Sequence, residues 1–195
     1  MREHKINSQY DFIQGYYIED NKITDDLIQH FEQSNSKVQG MVNKNEVKKT
    51  SKDSTDVQIH IQEIKFYSAL GNYLNELEKC LECYKNKYEY CHTKTSNWAI
   101  QDTFNIQKYK PTQGFHKWHS ENTSKYTRHR HLVFMTYLNT VKQGGETAFY
   151  YQKLKVKPEK GLTLIWPTDW TFTHKGYTTI NEDKYIVTGW YDFIK

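Results

Sequence analysis

Three ionisable side chains stand out because their types and spacing could bind a metal ion. His119 and Glu121 are two residues apart in WHSE, which reads as extended, and His174 follows in FTHKG. On a β-strand, residues i and i+2 point to the same face, so His119 and Glu121 would lie side by side. A second imidazole from a later strand would complete three ligands on one face of an octahedral metal. Two histidines and one carboxylate, with positions left open, suit non-haem Fe(II).

A lysine follows at a spacing that suits an acidic co-substrate of such a metal. Lys184 lies ten residues after His174, in DKYIVTGW. Taken alone, the three metal candidates could be ordinary surface strand residues, and Lys184 one more solvated lysine. The assignment of a function to these four residues therefore depends on the sequence segments around them.

Five segments of the chain resemble one known family. IQKYKPTQGFHKWHSE, HLVFMTYLNTVKQGGETAFY, VKPEKGLTLIWP, WTFTHKG and KYIVTGW occur between about residues 97 and 193. Their order and rough spacing are similar to those of the catalytic core of 2-oxoglutarate- and Fe(II)-dependent dioxygenases, in the prolyl 4-hydroxylase-like branch. The short link before HLVFMTYLN resembles the small bacterial and bacteriophage members.

The resemblance implies a metal site and a co-substrate site. Fe(II) would be bound by His119, Glu121 and His174, with O2 as oxidant and ascorbate as reductant. The far carboxylate of 2-oxoglutarate would enter a mostly apolar pocket, where an unpaired charge is costly. Lys184 would neutralise it, and two further residues match family positions that donate to it, namely Tyr109 and Thr147.

Glu121 departs from the family pattern, in which the carboxylate is usually Asp. Some relatives use Glu, so metal binding remains the expectation, with a changed reach and angle. Relatives that halogenate lack this carboxylate, so Glu121 favours hydroxylation.

Peptidyl proline is the expected target, by analogy with the family. Trp190 and His116 are predicted to line the site, although core packing is an equal interpretation of Trp190. Lys49 and Ser51, in a polar loop, could meet a peptide or protein substrate. The alternatives are the same chemistry on a free amino acid, another side chain or a nucleobase, or a catalytically silent jelly-roll binding module. A nucleobase would need a basic channel with stacking aromatics, and a net charge of +4 is too mild to imply nucleic acid.

Two other clusters compete for a metal. His129-x-His131 could place two imidazoles on one strand face, and Cys80-x-x-Cys83 with Cys91-His92 resembles a zinc set. Structural zinc pairs usually sit at tight turns, whereas Cys80 and Cys83 lie within a predicted helix. We therefore expect loop or edge roles for the histidines and helix packing for the cysteines.

The predicted fold is α+β, a double-stranded β-helix (jelly roll) with N-terminal helices packed on one sheet. At 195 residues the chain suits one domain. Residues 1–96 would hold an opening strand, helices and a flap loop, and residues 97–195 the catalytic jelly roll. Alternation predicts that Leu132, Phe134, Thr136 and Leu138 share one strand face, opposite Val133, Met135 and Tyr137.

The N-terminal half has a helical pattern interrupted by a polar run. A helix capped by Thr24 is predicted over residues 23–33, and a long helix or a pair broken near Gly71 over residues 61–91. Residues 34–56 are polar and predict a long loop, whose part from Lys44 to Asp56 lacks hydrophobic anchors and is expected to be solvated and mobile without substrate. No stretch has the roughly 20 apolar residues of a membrane span, and the N-terminus lacks a signal-peptide core. A cytoplasmic location is the default expectation.

Overall fold

The computed structural model describes residues 2–6, 12–42 and 46–194. Its strands are β1 (Glu3–His4), β2 (Gln14–Tyr17), β3 (Val38–Gln39), β4 (Thr55–His60), β5 (Trp98–Ala99), β6 (Thr103–Tyr109), β7 (Phe115–His119), β8 (Arg130–Tyr137), β9 (Thr147–Phe149), β10 (Leu154–Val156), β11 (Leu162–Pro167), β12 (His174–Gly176) and β13 (Lys184–Phe193). Its α-helices are α1 (Asn21–Gln33), α2 (Ser68–Lys87) and α3 (Tyr90–Thr93), and 3₁₀ helices cover Ile61–Phe66 and Trp170–Phe172. None of the described helices is long and apolar enough to cross a membrane.

Two antiparallel sheets form the framework of the described chain. The major sheet has the strand order β1-β2-β11-β8-β13-β6-β4-β3, and β5 pairs with the end of β13. The minor sheet has the order β10-β9-β12-β7. This arrangement confirms the predicted jelly roll. Strands β2 and β4 from the N-terminal half pair directly with β11 and β6, so they extend the catalytic sheet on both sides.

Strand β8 shows why the major sheet is buried on both faces. Leu132, Phe134 and Leu138 belong to the core that packs against α1 and α2. Val133, Met135 and Tyr137 belong to a second core on the opposite face. The predicted alternation is therefore correct, and because the strand lies between two layers, apolar side chains occur on both of its faces.

The helices occur where the pattern predicted them, with two corrections at their starts. The side chain of Asp20, not Thr24, caps α1 by accepting from the Lys22 amide at 2.9 Å, while Thr24 is buried and bonds to the Asn21 carbonyl. The long helical stretch breaks at Tyr67, where a 3₁₀ helix gives way to α2, and Gly71 lies inside α2. The opening strand predicted over residues 10–20 corresponds to β2, and residues 10 and 11 of that range lie outside the described residues.

The expectation of a solvated loop is wrong for residues 51–56. Ser51, Lys52, Ser54 and Asp56 are all buried. The Ser51 carbonyl accepts from the amides of His116 and Lys117 in β7, and Asp56 already belongs to β4. Polar side chains satisfy one another here, so this stretch needs no apolar anchor.

Candidate metal centre and co-substrate pocket

The three metal candidates come together at the edge where β7 pairs with β12. His119 and His174 are direct partners across these two strands. Strand β7 ends at His119, so Glu121 is not on the strand as predicted but in the bend that follows. The Glu121 amide donates to the Thr168 carbonyl at 3.1 Å, and this bond turns the chain so that the carboxylate still lies beside the imidazoles.

The ligand atoms converge without a hydrogen atom between them. Glu121 Oε1 lies 3.3 Å from His119 Nε2 and 3.4 Å from His174 Nε2. Each Nδ1 lies 2.9 Å from a backbone carbonyl, that of Lys117 or Phe172. A carbonyl only accepts, so Nδ1 carries the proton and the neutral ring presents a lone pair at Nε2. With both rings neutral, the three acceptors face one another and can hold a metal ion, which would take the place of any proton shared between imidazole and carboxylate.

The protonation states also suit metal binding. Burial, together with the nearby His174, lowers the pKa of His119. Burial works to raise the pKa of Glu121, but the imidazoles of His119 and His174 outweigh it and hold that pKa well below its ordinary value. An ionised carboxylate and neutral imidazoles are the forms that bind a metal.

Aromatic rings fix the orientation of both imidazoles. Phe115 stacks on His119 with ring centroids 3.6 Å apart and an interplanar angle of 11°. Trp166 contacts His174 edge to face at 5.1 Å, and Phe149 lies beside it. The rings therefore have little freedom to rotate away from Glu121.

The second oxygen of Glu121 faces two donors. Arg130 Nη1 and Trp190 Nε1 each lie 3.1 Å from Oε2. The Arg130 guanidinium lies over the Trp190 ring, 3.6 Å from its centroid.

A cavity of about 1380 Å³ opens beside the three residues and contains the predicted co-substrate anchor. Lys184 is only 3% exposed. Its Nζ donates to the Gly145 carbonyl at 3.0 Å and lies 4.9 Å from the centre of the Tyr109 ring. Within the described residues no carboxylate forms an ion pair with Lys184, and burial lowers its pKa to about 8. Glu146 favours the charged form electrostatically but is not paired with it, and the Tyr177 carbonyl also accepts from Nζ at 3.4 Å, so a buried ammonium held by backbone carbonyls lines this cavity.

Tyr109 and Thr147 line the same cavity. The Tyr109 hydroxyl donates to Gln107 Oε1 at 2.9 Å, and Thr147 Oγ1 accepts from the Tyr137 hydroxyl at 2.6 Å. Thr147 follows a turn at Gly144 and Gly145 with φ of 78° and 77°. A Cβ on Gly144 would lie 2.3 Å from the Thr178 carbonyl oxygen, so the turn requires glycine there.

Of the remaining predicted residues, Ser51 and Trp190 line the cavity, whereas His116 and Lys49 are not among its lining residues. Trp190 contacts Glu121 as described. His116 and Lys49 are exposed, and Ser51 is buried.

The competing clusters lie elsewhere. His129 faces Asp192 at 3.5 Å, and His131 Nε2 lies 2.8 Å from the Cys91 carbonyl oxygen. Cys80 lies on α2 and is buried in the core. Among the residues that the structure describes, one group could hold a metal, namely His119, Glu121 and His174.

Sequence reasoning missed a buried polar network on the cavity wall. Lys52 Nζ pairs with Asp56 Oδ2 at 2.6 Å, and Gln107 Nε2 donates to the same oxygen at 2.9 Å. The Tyr109 hydroxyl ends the chain of bonds at Gln107. Gln107 could have been found, because it lies two residues before Tyr109 on the same strand face. Lys52 and Asp56 are only four residues apart, but a pair of charges in a polar stretch does not indicate burial, and Gln107, which shares the Asp56 oxygen, is distant in sequence.

Comparison with known proteins agrees with this site. Residues 104–192 match the sequence model of the 2OG-Fe(II) oxygenase superfamily. A search of curated proteins gave no match. The fold is similar to that of the viral collagen prolyl hydroxylase vCPH from Paramecium Bursaria Chlorella virus-1 in its 2OG complex, at 18% identity and a TM-score of 0.69, covering 96% of this chain and 99% of that one.

Two further solved structures share the fold. A prolyl-4-hydroxylase from Pseudomonas putida is 13% identical with a TM-score of 0.71, covering 94% of each chain. A prolyl hydroxylase from Trichoplax adhaerens, in complex with a hypoxia inducible factor oxygen degradation domain peptide fragment, is 17% identical with a TM-score of 0.72, covering 93% of this chain and 84% of that one.

The matched segment and the jelly roll define the class: this chain is a 2-oxoglutarate-dependent dioxygenase. Residues 104–192 carry the sequence match to the 2OG-Fe(II) oxygenase superfamily, and the chain has the fold of prolyl 4-hydroxylases. The family implies Fe(II), 2-oxoglutarate and O2 as its reactants and cofactors.

Proposed function

We propose that this protein hydroxylates prolyl residues in a peptide or protein and releases succinate and CO2. One observation carries the chemistry: three converging acceptors and an unpaired buried cation line the same cavity. The first feature suits a metal cation and the second suits an anion. An Fe(II) ion together with a dicarboxylate satisfies both.

Each residue has a defined role in this proposal. His119, Glu121 and His174 bind Fe(II), and Lys184 pairs with the far carboxylate of 2-oxoglutarate. Tyr109 and Thr147 present hydroxyl groups to that carboxylate once their present partners reorient. When bound, the iron and the co-substrate supply the activation of O2 and the insertion of one oxygen atom into a C–H bond. The protein holds the reactants in place and excludes water.

The prolyl substrate rests on analogy of fold. The similar structures are prolyl hydroxylases, and one of them is bound to a peptide. The cavity exceeds the usual 300–1,000 Å³ range of small-ligand sites, so it leaves room for a substrate side chain. Substrate contacts by Trp190, His116, Lys49 and Ser51 stay predictions, as do ascorbate as reductant, a cytoplasmic location and a bacterial or bacteriophage origin. We also propose that residues 1–195 act as a single domain, because β2 and β4 are integral to the major sheet.

Mass spectrometry of peptides tests the substrate class. The protein would be incubated with Fe(II), ascorbate, 2-oxoglutarate and matched peptides that differ only by Pro→Ala. We expect a gain of one oxygen atom on proline in the first set, none in the second, and none with the His174→Ala variant. Oxygen on another residue, on a free amino acid or on a nucleobase would replace prolyl hydroxylation by that alternative. Absence of succinate under all conditions would favour a silent binding module.

A further inference from the structure

The carboxylate of Glu121 has a different environment at each oxygen. Oε1 faces the two imidazoles, at 3.3 and 3.4 Å. Oε2 faces away from them and accepts two hydrogen bonds, from Arg130 Nη1 and Trp190 Nε1, both 3.1 Å long. The side chain is only 13% exposed, so water has little access to either oxygen.

Arg130 is itself held firmly. Its Nη1 also donates to the backbone carbonyl of Glu121 at 3.2 Å, so one nitrogen contacts both the main chain and the side chain of the same residue. Its guanidinium stacks on Trp190. Arg130 begins β8 and Trp190 lies on β13, and these two strands are paired through most of their length. The two donors are therefore mounted on adjacent strands of the rigid major sheet.

A glutamate ligand needs such support more than an aspartate does. Its extra methylene adds one rotatable bond, and holding the carboxylate in one orientation costs more conformational entropy. An unrestrained carboxylate can also offer both oxygens to a metal and so occupy a position that another ligand requires. A hydrogen bond to a charged group is about twice as strong as a neutral one, so the two donors compete effectively for Oε2.

We propose that Arg130 and Trp190 are positioning residues that hold Oε2 of Glu121, so that the carboxylate binds the metal through Oε1 alone. The inference rests on the metal site of the proposed function. It explains how Glu can stand where an aspartate is usual and still leave positions open for 2-oxoglutarate and O2.

Cobalt(II) is the probe for this arrangement, because its visible absorption spectrum depends on coordination number and geometry. Trp190→Phe removes the N–H donor and keeps an aromatic ring under Arg130, and Arg130→Met removes the guanidinium. We expect both variants, loaded with Co(II) alone, to show a changed spectrum. We also expect their affinity for 2-oxoglutarate to fall at least about 10-fold, within the usual effect of changing a residue that orients a ligand.

Two controls separate positioning from general effects. Arg128→Met removes an exposed arginine two residues away and is expected to leave the spectrum and the affinity unchanged. Lys184→Met is expected to weaken 2-oxoglutarate binding but to leave the spectrum of the Co(II)-only protein unchanged. Near-UV circular dichroism shows whether each variant is folded. If Arg130→Met is not folded, the result for Trp190→Phe alone decides the test.

The Glu121→Asp variant tests whether Trp190 affects the Co(II) spectrum through the carboxylate of residue 121. In Glu121→Asp, the shorter carboxylate cannot both reach the donors and bind the metal. Trp190→Phe is therefore expected to change the Co(II) spectrum of that variant much less than it changes the wild type. The inference is overturned if substitution of Trp190 and Arg130 in the wild type leaves the Co(II) spectrum unchanged, or if Trp190→Phe changes that spectrum equally in the wild type and in Glu121→Asp. The proposed function would still stand in either case. Failure of the wild type to bind Co(II) overturns both.

Discussion

Among single residues, the buried ammonium of Lys184 gives the protein a stability that depends on pH. Burial lowers its pKa from the ordinary value of 10.5 to about 8, so its charged form is disfavoured in the folded protein. Between about pH 8 and 10.5 the unfolded chain binds more protons than the folded one, and stability therefore rises with pH in that window. Below pH 8 the cost is fully present, on the order of 3 kcal/mol.

Lys184→Met should remove this cost and the function together. We expect the metal-free variant to be more stable than the wild type at pH 7, and to lose the rise in stability between about pH 8 and 10.5. Urea unfolding at pH 7, 9 and 10 measures both effects. The Co(II)-loaded variant should bind 2-oxoglutarate much more weakly, because breaking a buried charge pair costs about 3–5 kcal/mol. A variant that keeps the wild-type pH slope and co-substrate affinity would remove Lys184 from the anchor.

Residue types and spacing were informative for the site because His119, His174 and Lys184 lie on strands, although Glu121 lies in the bend after β7. His119 and His174 end and begin paired strands, and Lys184 begins the next one, so a count along the chain predicts their neighbourhood. The contacts of Arg130 and Trp190 with Glu121 were not predictable in this way. They depend on the bend after β7 and on side-chain reach, and neither feature leaves a periodic pattern.

At the scale of elements, the segment that joins β3 to β4 is stabilised by a buried ion pair between Lys52 and Asp56. Lys52 and Asp56 are each 6% exposed, and Gln107 of β6 shares the Asp56 oxygen. Lys52→Met should leave the carboxylate of Asp56 buried without its cation, at a cost of about 3–5 kcal/mol. Urea unfolding measures this loss, and Lys49→Met, at an exposed lysine of the same segment, is the matched control.

The double variant Lys52→Met/Asp56→Asn tests the cause. With both charges removed, the penalty of an unpaired charge disappears, so the double variant should be more stable than Lys52→Met alone. Equal or lower stability would show that the cost comes from packing and not from charge. Composition alone predicted a solvated loop here, because the partners of this segment, Gln107 and the β7 amides, are more than 50 residues away in sequence.

At the scale of the whole molecule, the major sheet separates stability from chemistry. Its outer face packs against α1 and α2, while its inner face lines the cavity. Leu77 of α2 is 1% exposed in the outer core. Leu77→Ala should lower the free energy of unfolding by about 2–5 kcal/mol. Succinate production per folded molecule should stay unchanged, because α2 packs on the outer face of the sheet and the cavity lies on its inner face. A loss of turnover in the folded variant would contradict this separation.

The jelly roll itself was predictable, since alternating strands and glycine turns follow local rules. The order of the N-terminal strands in the sheet was not predictable. Strands β1 and β3 have two residues each, too few to show a period, and they join the sheet only through pairing with β2 and β4.

The central claim is that His119, Glu121 and His174 bind the iron that drives 2-oxoglutarate turnover. The most direct measurement is succinate formation from 2-oxoglutarate, with added Fe(II) and without a prime substrate, by the wild type and by His174→Ala. We expect the wild type to form succinate slowly, in a reaction that requires iron and is abolished by a chelator. We expect folded His174→Ala to form none above background. Full turnover by His174→Ala would contradict the account.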